Sequence, residues 1–179
     1  MRQLFRESLQ NYHTHYFQEL QFVQPFLNLL EHPRCYYRDH MPGHLTASAF
    51  IVDRDASKVL LVHHAKLNRW LQPGGHADGE EDLTAVALKE TWEETGVRNV
   101  KMLMPGFFDI DIHPIPARGN VPTHDHYDVR FLLGANSTFP IQVSEESHDV
   151  KWVELNDLEH YTREPSLLRM KDKYLVSVI

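Results

Sequence analysis

The chain has 179 residues, 42% of them apolar, and a formal net charge of −7. This suits one soluble domain with a sizeable core and speaks against polymeric nucleic acid as a partner, because nonspecific binding there runs on lysine and arginine neutralising phosphates. No run of about 18 apolar residues exists to cross a bilayer and the opening MRQLFRESLQ lacks an apolar signal core, so a cytoplasmic protein with no membrane partner is expected.

Residues 1 to about 32 read as helical: Leu4, Phe5 and Leu9, then Phe17, Leu20, Phe22, Val23, Phe26, Leu27 and Leu30, recur at spacings of three and four. Pro25 is expected to start or kink a helix and Pro33 to end it. Such a stripe docks on the rest of the chain or on a second copy, so a homodimer is compatible with it. The single cysteine, Cys35, excludes an intrachain disulfide and reads as a buried thiol. From His44 the pattern turns extended: Leu45 to Val52 and Val59 to His63 are strand-like, with Asp53 to Ser57 as the turn between them. The segment Trp70-Leu71-Gln72-Pro73-Gly74-Gly75 then leads through a loop to an acidic helix, and the two glycines suit a tight turn or a close approach to phosphate. Further strands are expected near 98 to 103, 107 to 113, 125 to 134 and 149 to 154. A short helix capped by Asn156 or Asp157 follows, and a last one spans Pro165 to Tyr174. Strands interrupted by one long helix, with more helix at the end, make a mixed sheet between helices.

The acidic helix carries the chemistry. On a helix, Glu90, Glu93 and Glu94 fall on one third of the circumference, because positions i, i+3 and i+4 are surface neighbours. Like charges so placed destabilise a solvated helix by a few tenths of a kcal/mol per pair, and a divalent cation reverses the sign. Oxygen-only ligands suit hard ions, and Mg²⁺ prefers a few carboxylates together with water and substrate phosphates.

The spacing Gly75, five residues, Glu81, seven residues, then Lys89-Glu90-Thr91-Trp92-Glu93-Glu94-Thr95-Gly96-Val97 resembles the signature of the Nudix hydrolases, G-x5-E-x7-R-E-U-x-E-E-x-G-U with U aliphatic. Every fixed glycine and glutamate is in register. Lys89 stands where the motif has arginine, keeping the charge and losing the planar fork. Thr91 stands where it has an aliphatic residue, adding a hydroxyl that a helix can satisfy by bonding back to a carbonyl. The resemblance implies an α/β/α sandwich with a mixed sheet over roughly residues 44 to 165. Residues 1–43 would form an N-terminal helical extension packed on a Nudix domain at 44–179. It also implies a pyrophosphohydrolase, dependent on Mg²⁺ or Mn²⁺, that cleaves a small nucleoside diphosphate derivative, a nucleoside triphosphate or another diphosphate by water attack on phosphorus.

The resemblance implies that Glu93 and Glu94 are the core metal ligands, with Glu90 a third ligand or the base acting on water. Glu81, read as the start of the helix, supports a metal or simply favours the positive helix N-terminus. A further acid before a Trp-containing strand often assists; Glu145 and Glu146 qualify here, and Glu146 is preferred.

Substrate choice lies outside the box. His124 and His126 share one strand face with Asp128 and can meet a ligand together, serve as structural hydrogen-bonding groups, or hold a separate metal with His113. His63, His64 and His76 flank the glycine loop, and Gly74, Gly75 and His76 are candidate phosphate contacts. Arg118 and Arg130 are candidate phosphate clamps or structural ion-pair partners. Two other readings remain: a noncatalytic nucleotide-binding or regulatory domain, and an isomerase of isopentenyl diphosphate, which uses a cysteine as well as an acid. Cys35 lies far upstream of the box.

Overall fold

Strand β1 (Gly43–Asp53) is buried along its whole length, and the other elements are arranged about it. The structure is a computed structural model and describes residues 1–177; Val178 and Ile179, the end of the expected domain, lie outside the described residues. Helices α1 (Arg2–Gln10) and α2 (Phe17–Leu29) come first. After β1, strands β2 (Lys58–His64), β3 (Arg69–Leu71) and β4 (Gly74–His76) lead into helix α3 (Leu83–Thr95). Strands β5 (Lys101–Met102), β6 (Asp109–Ile115), β7 (His124–Ala135) and β8 (Ser147–Glu154) follow. A short 3-10 turn, α4 (Leu158–Tyr161) and α5 (Pro165–Ser177) close the chain.

β1 runs parallel to β7, from Gly43 opposite Asp125 to Asp53 opposite Ala135. Every other pairing in the sheet is antiparallel: β1 with β2 and β4, β2 with β3 and β8, β7 with β5 and β6. The sheet is mixed, and the parallel pair requires the long crossover that contains α3. Strand alternation sorts β1 into two faces. Leu45, Ala47, Ala49 and Ile51 join a core with Leu83, Val86 and Ala87 of α3 and with Leu9, Phe26 and Leu30 of the N-terminal segment. Phe50 and Val52 join a second core with Leu167, Met170 and Tyr174 of α5. Helices thus cover both faces, giving the α/β/α sandwich.

The first 32 residues form two helices, and the second starts at Phe17, not at Pro25. The break is held by Glu19, a fully buried carboxylate that accepts the hydroxyls of Tyr12 and Thr14 and the amine of Lys173. α2 begins at Phe17 and runs through Pro25. The carbonyl that the proline leaves without a helical donor belongs to Gln21, an exposed residue that water can reach. Phe26 packs edge-on against Phe5 and Tyr127, so the extension docks on the same chain, while Leu4, Phe17 and Leu20 stay exposed. The stretch from Asp109 to Ile115 is a regular strand. It tolerates Pro114 because, among the described residues, β6 pairs with β7 alone and its outer edge makes no ladder bonds. No helix among the described residues is long and apolar enough to cross a membrane.

Candidate active site

Helix α3 is fixed at both ends. Asp82 caps it, its carboxylate accepting the backbone N–H groups of Thr84 and Ala85, and Gly96 ends it at φ +73, in the left-handed region that favours glycine. Asp82, not Glu81, therefore starts the helix. Glu81 turns away toward α1, accepting the Arg2 backbone N–H at 3.3 Å and pairing with its guanidinium at 3.3 Å. Thr91 is buried and its hydroxyl donates to the carbonyl of Ala87 at 2.8 Å, the back-bond by which a helix absorbs this departure from the motif.

β4 brings Gly74 and Gly75 against both β1 and α3. A Cβ on Gly74 would stand 2.3 Å from Cβ of Ser48, and one on Gly75 would stand 2.6 Å from Cδ of Glu90. The glycines are thus required by the close approach of strand and carboxylate; the space over Gly75 is filled by Glu90. The Gly74 N–H donates to Oε2 of Glu94 at 3.0 Å.

The three glutamates of α3 have few counter-charges. Lys89, itself 60% exposed, lies 3.6 Å from Glu90 and 3.3 Å from Glu93. Burial raises Glu90 above the usual carboxylate range; the positive charge of Lys89 opposes this, and the negative charges of Glu93 and Glu146 add to it. Burial pushes Glu94 up to about 7 despite the bond from Gly74, with Glu90, Glu146 and Glu93 contributing. Glu146 lies in the loop before β8, its backbone carbonyl accepting the Ala65 N–H at 2.9 Å, and its charge reaches both half-buried glutamates. Glu90, Glu93 and Glu94 share α3 and the charge of Glu146 reaches Glu90 and Glu94, whereas Glu81 is engaged by Arg2. A group of oxygen donors with excess negative charge fits a hard divalent cation.

Alongside lies a polar face of the sheet. Across β1, β7 and β6 the register aligns His44, His126 and His113, then Thr46, Asp128 and Asp111, then Ser48, Arg130 and Asp109. Arg130 is 2% exposed and donates to Asp128 at 2.8 Å, to Asp109 at 3.3 Å and to Asp111 at 3.2 Å. Arg169 of α5 joins the two outer aspartates at 2.7 and 3.2 Å, and Lys173 reaches Asp109 at 3.2 Å. Arg130 is therefore enclosed by carboxylates. Arg118 sits in the exposed turn after β6. His63 stacks on Trp70, with centroids 4.9 Å apart.

His76 packs against His44 and His126 at 5.2 and 4.9 Å between ring centroids. Burial, together with the charge of Arg38, pushes it down to about 4; burial and four neighbouring imidazoles push His126 down to about 2. Sequence reasoning missed two residues here. His44 was detectable, because His44, Thr46 and Ser48 alternate with apolar residues along β1 and mark a polar face. Arg38 carried no such signal; its guanidinium pairs with Asp78 beside the site, at 2.6 Å from Nε, and its charge reaches Glu90, Glu146 and His76.

The chain matches the NUDIX domain family over residues 42–174. It is 34% identical over 97 residues to an m7GpppN-mRNA hydrolase of Xenopus laevis, a match covering 50% of this chain and 32% of that protein. It is 33% identical over 91 residues to a probable DHNTP pyrophosphohydrolase of Lactococcus lactis, covering 50% of this chain and 52% of that one. The chain thus spans less than two thirds of the length of either relative. Among solved structures, a C. elegans Ap4A hydrolase superposes with a TM-score of 0.61 at 21% identity, over 75% of this chain and 96% of that one, which shows the shared fold. With the family matched over residues 42–174 and every fixed glycine and glutamate of the box in register, the chain belongs to the Nudix hydrolase family.

Proposed function

We propose that this protein is a metal-dependent pyrophosphohydrolase that cleaves the diphosphate linkage of a nucleoside diphosphate derivative or nucleoside triphosphate by attack of water on phosphorus. The observation that carries the reading is the under-compensated charge on α3: half-buried Glu90 and Glu94, with Glu93 and Glu146 nearby and only exposed cations, Lys89, Lys66 and Arg38, to oppose them. The hydrolase and pyrophosphohydrolase names of the relatives support it. Glu90, Glu93 and Glu94 would hold Mg²⁺ or Mn²⁺, which when bound supplies charge neutralisation of the diphosphate and a lowered pKa for attacking water.

The residues themselves do the rest. Gly74 donates to Glu94 and Gly75 leaves room for Glu90, so both glycines act by fixing carboxylates. Glu146 is free of helical constraint and serves as the base that accepts the proton of the water. His76 follows Gly75 and presents a neutral imidazole to the phosphate side of the site. His124 and His126 are turned, with His44, into a ring cluster whose edge His76 joins. Glu81, held by Arg2, supports the helix from outside the ligand set, and Arg130 supports the sheet.

The experiment is product release from a panel of nucleoside triphosphates, nucleotide sugars and dinucleoside polyphosphates, each with Mg²⁺, Mn²⁺ and EDTA. Metal-dependent turnover of at least one member is expected. Tight nucleotide binding without turnover on any member would overturn the reading in favour of a noncatalytic nucleotide-binding domain.

A further inference from the structure

The polar face of the sheet ends in imidazoles that the diphosphate chemistry does not use. Register places His44 of β1 opposite His126 of β7, and His124, two residues before His126, projects from the same face. Ring centroids are 5.0 Å apart for His44 and His124, 5.1 Å for His44 and His126, and 5.3 Å for His124 and His126. One nitrogen from each ring lies within 4.8 Å of the other two.

Hydrogen bonding decides which nitrogens are available. Nδ1 of His124 is 2.9 Å from the Pro122 carbonyl oxygen, and Nδ1 of His44 is 3.2 Å from that of His40. A carbonyl oxygen only accepts, so each Nδ1 carries the proton and each Nε2 keeps its lone pair. His44 is 1% exposed, and its Nε2 is buried with no partner; Nε2 of His126 is buried and unpartnered as well. An unmade hydrogen bond at a buried polar atom costs about 1–3 kcal/mol, and here two occur in one place. Ring stacking fills the space and leaves both nitrogens unsatisfied. A carbonyl that fixes Nδ1–H while Nε2 faces inward is the outer-shell arrangement of metal-bound histidine.

We propose that His44, His124 and His126 form a nitrogen-only site for one borderline transition-metal ion, Zn²⁺ foremost, bound through Nε2 of each ring and separate from the carboxylates of α3. Imidazole suits zinc and its neighbours, whereas Mg²⁺ takes oxygen. Around tetrahedral zinc, with bonds of about 2.0–2.1 Å, ligand nitrogens stand about 3.4 Å apart, so small side-chain rotations close the present spacing. Three ligands leave a fourth position for water or an anion. His76 and His113, with centroids 4.9 and 5.6 Å from His126, stand next in reach. The site would flank the diphosphate centre, since His76 follows the glycine that touches Glu90.

The untagged full chain, stripped with chelator, is titrated with Zn²⁺ and separately with Co²⁺ in excess Mg²⁺. One equivalent is expected to bind without displacement by Mg²⁺, and the Co²⁺ form to show the visible d–d absorption of a low-coordinate, nitrogen-ligated ion. Phenylalanine keeps the ring volume, so His44→Phe, His124→Phe and His126→Phe should each lower Zn²⁺ affinity by at least about a hundredfold. Glu93→Gln combined with Glu94→Gln should leave it within about threefold, as expected of an independent site. If His44→Phe does not fold, His124→Phe and the cobalt spectrum decide. Absence of stoichiometric Zn²⁺ binding, an affinity indifferent to His124→Phe, or one that follows Glu93 and Glu94 would overturn the assignment. Because the readout is binding, the outcome is independent of whether the α3 carboxylates hydrolyse a diphosphate.

Discussion

Two groups of three carboxylates lie in this molecule, and their surroundings set them apart. Asp109, Asp111 and Asp128 are 0%, 8% and 4% exposed and are interleaved with Arg130, Arg169 and Lys173. Burial alone would raise Asp109 and Asp111. The Arg169 hydrogen bond at Asp109 and the Arg130 charge at both outweigh it, holding these carboxyls below their usual range. Glu90 and Glu94 are also largely withdrawn from water, yet burial raises them and no buried cation opposes it. Supplied with counter-charge by the fold, an acidic cluster is architecture; left without it, the cluster is available to a cation from solution. The sheet face holding the aspartates and the helix holding the glutamates divide these roles within one domain.

The largest effect is expected from breaking the compensated group. Arg130→Ala leaves three buried carboxylates short of a partner, and removing one member of a buried ion pair typically destabilises by about 3–5 kcal/mol. Denaturant unfolding measures this directly, and a loss below about 1 kcal/mol would show that the network is not what holds the sheet face together. The uncompensated group should respond in the opposite way. Glu93→Gln or Glu94→Gln is expected to lower turnover by more than about a hundredfold, the order for a principal electrostatic element, with the unfolding midpoint nearly unchanged. Unchanged rates in both variants would remove α3 from the chemistry.

These contrasts also mark where the sequence could be read. The box on α3 was legible because its geometry is local: residues three and four apart must meet on a helix, whatever surrounds it. For Arg130 the sequence left a phosphate clamp and a structural ion pair both open, and its partners were not legible. They depend on the register of β6 against β7 and on Arg169 arriving from α5, contacts that no spacing within a segment encodes. The break in the N-terminal helical stretch was hidden for the same reason, since Glu19 is satisfied by Lys173 from the far end of the chain. The pair His124 and His126 was visible as strand alternation, whereas their third companion, His44, is brought in by a parallel pairing of distant strands.

The two groups should also carry opposite pH signatures. The outer aspartates are depressed in the folded state, so their contribution to stability is present at neutral pH and is lost as pH falls through the acidic range. Glu94 is raised, from 4.5 to about 7. In metal-free protein its contribution is therefore full below its unfolded value and is lost as pH rises toward and through about 7. A bound divalent cation favours the ionised form and offsets that loss. The gain in Tm on adding Mg²⁺ to EDTA-treated protein should then be larger near pH 8 than near pH 5.5, by roughly 2–4 °C for each kcal/mol in a chain of this size. A gain that does not depend on pH would mean that the cation does not engage Glu94.

The smallest effect separates packing from charge inside the box itself. Thr91 faces the core at 0% exposure, and its hydroxyl bonds to the Ala87 carbonyl, which as a helical acceptor has a second lone pair for its backbone donor. Thr91→Val restores the aliphatic residue that the motif has at this position and removes only that auxiliary bond, which in helices is neutral to slightly destabilising. Stability should shift by less than about 1 kcal/mol and turnover should be unchanged, because neither Glu90 nor Glu94 bonds to this side chain. Parallel unfolding curves and equal kcat would locate the function of the box in its carboxylates. A loss of kcat comparable to that of Glu94→Gln would mean instead that the helix must carry a hydroxyl at this turn to set the glutamates.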